Sequence, residues 1–481
     1  MSDHPPTAPA TVVGATTTSP KGPRHPVDEV PPLRRLLPLG LQHVLAMYAG
    51  AVAVPLVIGT ALIEAGRLDP GALPHLITAD LFVAGIGAVL QSVGVWRVGA
   101  RLPLMQGCTF ASVGPMITIG TEHGVGAIYG SVIMCGLMMF AIAPVFSQLV
   151  RFFPPLVTGT VILVIGLSLM SVAGGWVIDG ATDGAPPVNV ALAAGTLAVI
   201  VLIERFAPPA LGRLSILLGL VVGTLAAVPL GLVDVSGVGE QPWVGFSTPF
   251  QFGLPTFPAA AVISMLIVGL VIMTETTGDI VAVSEIVDRP LTPRRLADGL
   301  RADGLTTVLG GVFNTFPYTA FAQNVGLVSI TGVKSRWVAT CAGVMLIALG
   351  LVPKLGAVVE AVPLAVLGGA GVALFGIVAA SGVRTLSTVR FTDRNVLVVA
   401  LAVGVGLLPT VSPTIYERFP SWFTLVFDSG ISAGAIVAIA LNLLLGGERG
   451  SRGGDTVAEG PSAHDAVRGA QLAADPEPPT R

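Results

Sequence analysis

Apolar residues run through this chain in long blocks separated by short polar connections. Between residues 32 and 447 the blocks show neither the period-two alternation of a half-solvated strand nor the one-sided stripe of a surface helix. Most are apolar all round and about twenty residues long, the length that crosses a hydrocarbon core as a helix. The pattern predicts fourteen spans, at 37–60, 76–95, 102–120, 125–148, 155–174, 188–204, 213–233, 258–284, 299–317, 321–333, 336–353, 360–380, 394–411 and 428–446. Residues 1–31 and 448–481 are polar and rich in Pro, Thr, Gly and Asp, and read as disordered cytoplasmic tails. The first tail lacks the apolar core and cleavage site of a secretory signal.

Two segments break the pattern. Residues 102–120, LPLMQGCTFASVGPMITIG, and 313–333, FNTFPYTAFAQNVGLVSITGV, carry Asn, Gln, Thr, Ser and Pro where a helix would be apolar. Unwound backbone at membrane depth is tolerated only where protein or a cavity surrounds it. One such segment in each half of a chain is the expected mark of a transporter binding site. They fall third and tenth among the fourteen spans, which predicts two halves of seven. Seven is odd, so the halves run inverted. A weak internal match agrees: at an offset of 209, Pro144, Val150, Pro154, Val157 and Gly159 fall on Pro353, Val359, Pro363, Val366 and Gly368.

Composition narrows the class. Apolar residues make up 53% of the 481 and charged residues only 11%, against about 25% in a soluble domain. That excludes a cytosolic enzyme, a nucleic-acid binder and a disordered scaffold. With the termini in the cytoplasm and the loops alternating, 22 of the 25 Lys and Arg lie on the inner side, and only Arg67, Lys354 and Arg418 outside. Cys108, Cys135 and Cys341 all lie in apolar stretches, so neither a disulfide framework nor a metal site is readable.

Scarce charge makes the remaining ionisable groups legible. An acid at the centre of a span costs roughly 2.5–3.5 kcal/mol on insertion scales and needs a partner or a cavity. The candidates are His43, Glu275, Asp279 and Asp303. Glu275 sits mid-span, and Asp279 is one helical turn on along the same face. The pair is either a site or a hydrogen-bonded packing device. Asp303 either caps the start of its helix or carries a proton or braces a site. His43 reads as a bracing residue. Gln323 and Asn324 carry amides that can pair with a planar heterocycle or can satisfy unwound backbone. Phe110 can stack on an aromatic ligand or simply fill the core.

These residues together resemble a family. QNVGLVSITG, Gln323 to Gly332, fits the signature of the nucleobase–ascorbate transporters at all five of its fixed positions. Gln42-His43 in the first span, GCTFAS with Phe110 in the third, TETTGD with Glu275 and Asp279 in the eighth and ADG with Asp303 agree with it. FNTFPYTAFAQNVG looks like the bacterial xanthine and uric acid permease branch. The resemblance covers residues 32–447. It implies an all-α membrane protein of fourteen spans in two inverted seven-span repeats, with short strands in spans 3 and 10. It implies a core domain (spans 1–4 and 8–11) moving against a gate domain (spans 5–7 and 12–14), and a homodimer in the plasma membrane. By position, Glu275 and Gln323 would bind the base, Phe110 would stack on it and Asn324 would shape the site. Asp303, Asp279 and His43 would support the site or proton coupling. Gln at the signature's first position looks like a purine reader, where uracil carriers tend to have Glu.

The expected function is therefore uptake of xanthine, uric acid or both, coupled to protons, with no cofactor beyond the proton and no nucleic-acid partner. A pyrimidine symporter is the near alternative, and an anion carrier on the same seven-plus-seven plan a more distant one. A membrane enzyme is disfavoured: TTGD resembles a protease motif only in part, and no HExxH occurs. A channel is disfavoured because the polar groups gather at one depth.

Overall fold

The structure is a computed structural model, and it describes residues 25–146, 154–212 and 214–445. Every one of the fourteen apolar blocks contains a helix. In the first half these are α1 (Leu33–Glu64), α2 (Leu73–Val93), α3 (Val113–His123), α4 (Val125–Ile142), α5 (Pro155–Ile178), α6 (Pro187–Phe206) and α7 (Ser215–Ala227). The second half holds α8 (Ala259–Ile286), α9 (Pro293–Val312), α10 (Ala322–Thr331), α11 (Arg336–Gly350), α12 (Pro353–Glu360), α13 (Leu364–Leu386), α14 (Asp393–Val411), α15 (Ser421–Phe427) and α16 (Gly430–Leu444). Among the described residues eight helices are long and apolar enough to cross a membrane, or nine if α11 and α12, bent by 80°, are one span. The protein is a multi-pass membrane protein.

The remaining blocks differ for local reasons. Helices α3 and α10 are short because their segments begin as extended backbone: β1 (Gln106–Cys108) precedes α3 and β2 (Tyr318–Ala320) precedes α10. Helix α9 has the length of a span but carries Arg294, Arg295, Asp298, Arg301 and Asp303. It packs between α2 and α4, which bury Arg301 and Asp303.

The helix contacts come in matched pairs seven apolar blocks apart. Helix α2 packs on α11, as α9 packs on α4. Helix α1 packs on α11, as α8 packs on α4. The pair α6–α7 answers to α14–α16, and α5 packs along α13. Glycines permit the closest crossings. A Cβ on Gly85 would stand 2.5 Å from the Gly343 carbonyl oxygen, and one on Gly136 2.6 Å from that of Gly304. The same small-on-small contact therefore closes both the α2–α11 and the α9–α4 crossings, as expected where lipid offers no hydrophobic drive and backbones must approach to gain packing.

Two expectations are corrected. Residues 25–31 do not belong to a disordered tail. Val27 is fully buried, and Asp28 bridges Arg289 (3.1 Å) and Arg336 (2.8 Å), so the segment straps across the start of α11 and the end of α8. Nor does Asp303 cap a helix. Helix α9 begins at Pro293 with Thr292 as its cap, the Thr292 hydroxyl accepting from the Arg295 N–H, and Asp303 lies mid-helix. The expected tails at 1–24 and 448–481 lie outside the described residues.

Candidate functional site

The two broken segments meet. Strands β1 and β2 pair antiparallel, with Gln106 opposite Ala320, Gly107 opposite Thr319 and Cys108 opposite Tyr318. The Phe321 N–H to Met105 O (3.0 Å) and Thr109 N–H to Pro317 O (2.9 Å) bonds lengthen the ladder at both ends. Each strand thus satisfies backbone groups of the other that lipid could not. Gly107 is required here: a Cβ would lie 2.1 Å from the Phe321 ring, which fills the space between β1 and α1.

Each strand then runs into a half-helix whose N-terminus points back at the pair. Thr109 opens the turn before α3, its hydroxyl oxygen accepting from the Ala111 N–H (3.1 Å). The same hydroxyl donates to Glu275 Oε2 at 3.4 Å. A mid-span carboxylate is thereby held at a helix N-terminus, where the backbone dipole favours negative charge. Glu275 is half-buried and faces α5, with Thr158, Val161, Ile162 and Ile165 across a small recess. Phe110, also half-buried, meets Phe375 of α13 edge-on at 5.8 Å between ring centres. Gln323, in the first turn of α10, is exposed, and its amide makes no hydrogen bond among the described residues. Its Nε2 stands near Gly50 of α1. Acid, ring and free amide are thus carried on α8, the α3 entry and the α10 entry.

Of the other residues singled out, Asn324, His43 and Asp303 are tied up. Asn324 is fully buried, and its Nδ2 donates to the His43 carbonyl (2.9 Å) and lies 3.1 Å from His43 Nδ1. The two lock α10 to α1. Asp303 is fully buried and is a junction. Its Oδ1 accepts from Gln91 Nε2 of α2 (2.8 Å) and Gln106 Nε2 of β1 (2.6 Å), and its Oδ2 from the Thr276 hydroxyl of α8. Thr276 Oγ1 also accepts the Ala320 N–H of β2 (3.1 Å). Three helices and both strands converge on this carboxylate. Asp279, half-buried one turn beyond Glu275, has a buried Oδ2 without a hydrogen-bond partner among the described residues.

Several of these contacts escape a reading of the sequence. Gln91, Gln106, Thr109 and Thr276 are ordinary polar residues whose partners lie up to 212 positions away. Asp80 did leave a signal, being an acid inside the apolar stretch of span 2, and it belongs with the four ionisable candidates. It is fully buried and accepts from Tyr318 Oη and Cys108 Sγ, both at 2.8 Å. The three cysteines are free. Among the described residues no cluster of His, Cys, Asp and Glu could hold a metal ion.

Known proteins resemble the chain at two levels. Its fold is similar to the transmembrane domain of a cyanobacterial bicarbonate transporter (TM-score 0.54, 15% identity, covering 84% of this chain and 97% of that one). It is also similar to a murine Solute Carrier 26 anion transporter in the inward-facing state (TM-score 0.59, 12% identity, covering 86% and 68%). Identities this low speak for fold alone. In sequence it is 45% identical over 419 residues to a xanthine permease of Bacillus subtilis, across 85% of this chain and 93% of that protein. It is 42% identical over 417 residues to the uric acid permease PucJ of Bacillus subtilis (85% and 92%). It is 41% identical over 441 residues to the uric acid transporter UacT of Escherichia coli (89% and 90%). Residues 34–415 match the sequence model of a permease family. With the signature at 323–332 and these relatives, the chain belongs to that permease family, the nucleobase–ascorbate transporters, and is a transporter rather than an enzyme.

Proposed function

We propose that the protein takes up xanthine, uric acid or both together with protons, by alternating access in the cell membrane. The observation that carries this reading is the strand pair that brings the two broken segments together, with Phe110 and the unpaired Gln323 amide at the entries of their half-helices and Thr109 of the first entry bonded to Glu275. A purine dione offers ring N–H donors and carbonyl acceptors in one plane. Glu275 accepts from the N–H edge, the Gln323 amide pairs with an edge carrying both donor and acceptor, and Phe110 covers the ring face. The helix N-termini favour a base that is anionic, as urate is. Proton binding by a carboxylate of the site neutralises the loaded carrier. Asp303 and Asn324 shape the cavity by holding the strands and α10, His43 organises the α10 contact, and Asp279 assists coupling beside Glu275.

On this reading the chain has fourteen spans in two inverted seven-span repeats, which the matched helix pairs support. A core of spans 1–4 and 8–11 rocks against a gate of spans 5–7 and 12–14, both termini are cytoplasmic, and two copies form a homodimer. Uptake of labelled xanthine and urate into cells expressing the protein tests the function. Competition by uracil, hypoxanthine, guanine and bicarbonate, with and without a protonophore, is measured alongside. Purine uptake that the protonophore abolishes and that uracil and bicarbonate leave intact is expected. Uptake of uracil or bicarbonate in preference to purines would overturn it.

A further inference from the structure

We propose that Asp80 is a positioning residue of the transport site: it pins one end of the strand pair and so sets how Phe110 stands against Gln323. The inference rests on the reading of the site given above. Register places Gln106 and Ala320 at one end of the pair and Cys108 and Tyr318 at the other. Each end is held by a buried carboxylate on a helix. Asp303 of α9 takes the first, through Gln106 and through Thr276, which receives the Ala320 N–H. Asp80 of α2 takes the second, its Oδ1 accepting from the Cys108 thiol and the Tyr318 hydroxyl. The Tyr318 hydroxyl is anchored further by the Asp80 carbonyl oxygen (3.1 Å) and lies 3.2 Å from Thr315 Oγ1. Thr307 of α9 accepts the Tyr318 N–H at 3.1 Å, so α9 also touches the end that Asp80 holds.

The geometry makes α2 a ruler for the strands. Gln91, which donates to Asp303, is eleven residues beyond Asp80, close to three helical turns, so both side chains leave the same face. A single rigid helix is therefore joined to both ends of the ribbon. The end that Asp80 holds is the one from which β1 runs on towards Phe110. Cys108 is followed immediately by Thr109 and Phe110, whereas Gln323 follows the opposite end, beyond Ala320 and Phe321, so the spacing of the two across the ribbon depends on both ends being held.

Asp80 also differs from Asp303 in what it joins. Asp303 ties three helices and the strands together, whereas the side-chain partners of Asp80 are both strand residues, and its Oδ2 has none among the described residues. An acid costs free energy at this depth, and an apolar residue would pack α2 as well. Its attachment to the strands alone gives the acid a reason to be there.

Asp80→Asn and the milder Tyr318→Phe test this, the latter removing one hydroxyl from an otherwise unchanged ring. For each, KM for labelled xanthine or urate and the inhibition constants of hypoxanthine, guanine and uracil are measured, with the amount of protein in the membrane and its melting temperature. A rise in KM of fivefold or more, with ratios between inhibition constants changed at least threefold, is the expected result. Parental KM and parental ratios in Tyr318→Phe, whatever the protein level, would overturn the inference, because a purely structural acid changes how much protein folds and not which base it prefers. The clamp is also read without any purine. In a chain carrying Cys341→Ser and Gln323→Cys, a thiol reagent should label position 323 at a rate altered at least threefold by Tyr318→Phe, and an unaltered rate would sink the clamp. If the parent protein takes up neither purine, the functional reading fails on its own, and the labelling rates still decide the clamp.

Discussion

Three acids at membrane depth, Glu275, Asp303 and Asp80, are chemically near-identical and sit in different surroundings. Glu275 accepts a long bond from Thr109, has Thr319 nearby and faces a small recess. Asp303 is filled by three donors. The first keeps a side turned to the recess, and the second is surrounded by donors of the fold. Glu275→Gln should leave folding intact and remove purine uptake or its dependence on a proton gradient. Normal protonophore-sensitive accumulation in that variant would exclude Glu275 from both tasks. Gln323→Glu should lower xanthine and urate affinity at least tenfold or move preference towards uracil, and unchanged competition would show that the amide does not read the base. Asp303→Ala strands the buried donors of Gln91, Gln106 and Thr276 at about 1–3 kcal/mol each. The yield of folded protein from membranes should collapse, and recovery of parental amounts with a parental melting temperature would contradict the junction. The exposed amide of Gln323 and the mid-span acid of Glu275 were legible in the sequence because both break an apolar pattern. The placement of Asp303 was not, since a cap and a mid-helix junction differ only in where the helix begins.

At the scale of elements, the strand pair and the glycine crossings make two broken segments into one site. Helices α4 and α9 cross where a Cβ on Gly304 would come within 2.6 Å of the Phe140 nitrogen and 2.8 Å of the Gly136 carbonyl oxygen. Gly304→Ala should therefore push the two helices apart and destabilise the protein by about 1–3 kcal/mol. It also moves Asp303, its neighbour, and so should lower uptake more than it lowers melting. Gly85→Ala, at the matching α2–α11 crossing, should cost a similar amount. A melting temperature unchanged in both would mean that the crossings are looser than drawn. The unwound stretches were foreseeable from their polar and Pro content. Their pairing with each other, in one register, was not, because no local feature of LPLMQGC selects FPYTA as its partner.

Over the whole molecule, one face gathers much of the visible ion pairing. Asp28 reaches Arg289 and Arg336, Lys334 pairs with Asp288, and Arg336 donates to the Ser92 and Val93 carbonyls that end α2. The strap at 25–31 thereby ties α2, α8 and α11 at the side where cations concentrate. Partly exposed pairs of this kind are worth about 0–1 kcal/mol. Asp28→Ala should accordingly lower the melting temperature slightly, with the deficit shrinking at high salt, and should leave the competition profile unchanged. A lost preference among purines would instead link the strap to the site.

Membrane class, the two broken segments and the family signature follow from the sequence by itself, because hydropathy and local motifs are short-range properties that survive in any arrangement of the helices. The tertiary structure alone decided that Asp303 is a junction, that Asp80 bonds to both strands, that residues 25–31 are docked, and that Glu275 faces a recess. Each of those depends on a partner tens to hundreds of residues away. A buried carboxylate is defined by the donors that surround it, and only the folded chain brings them there.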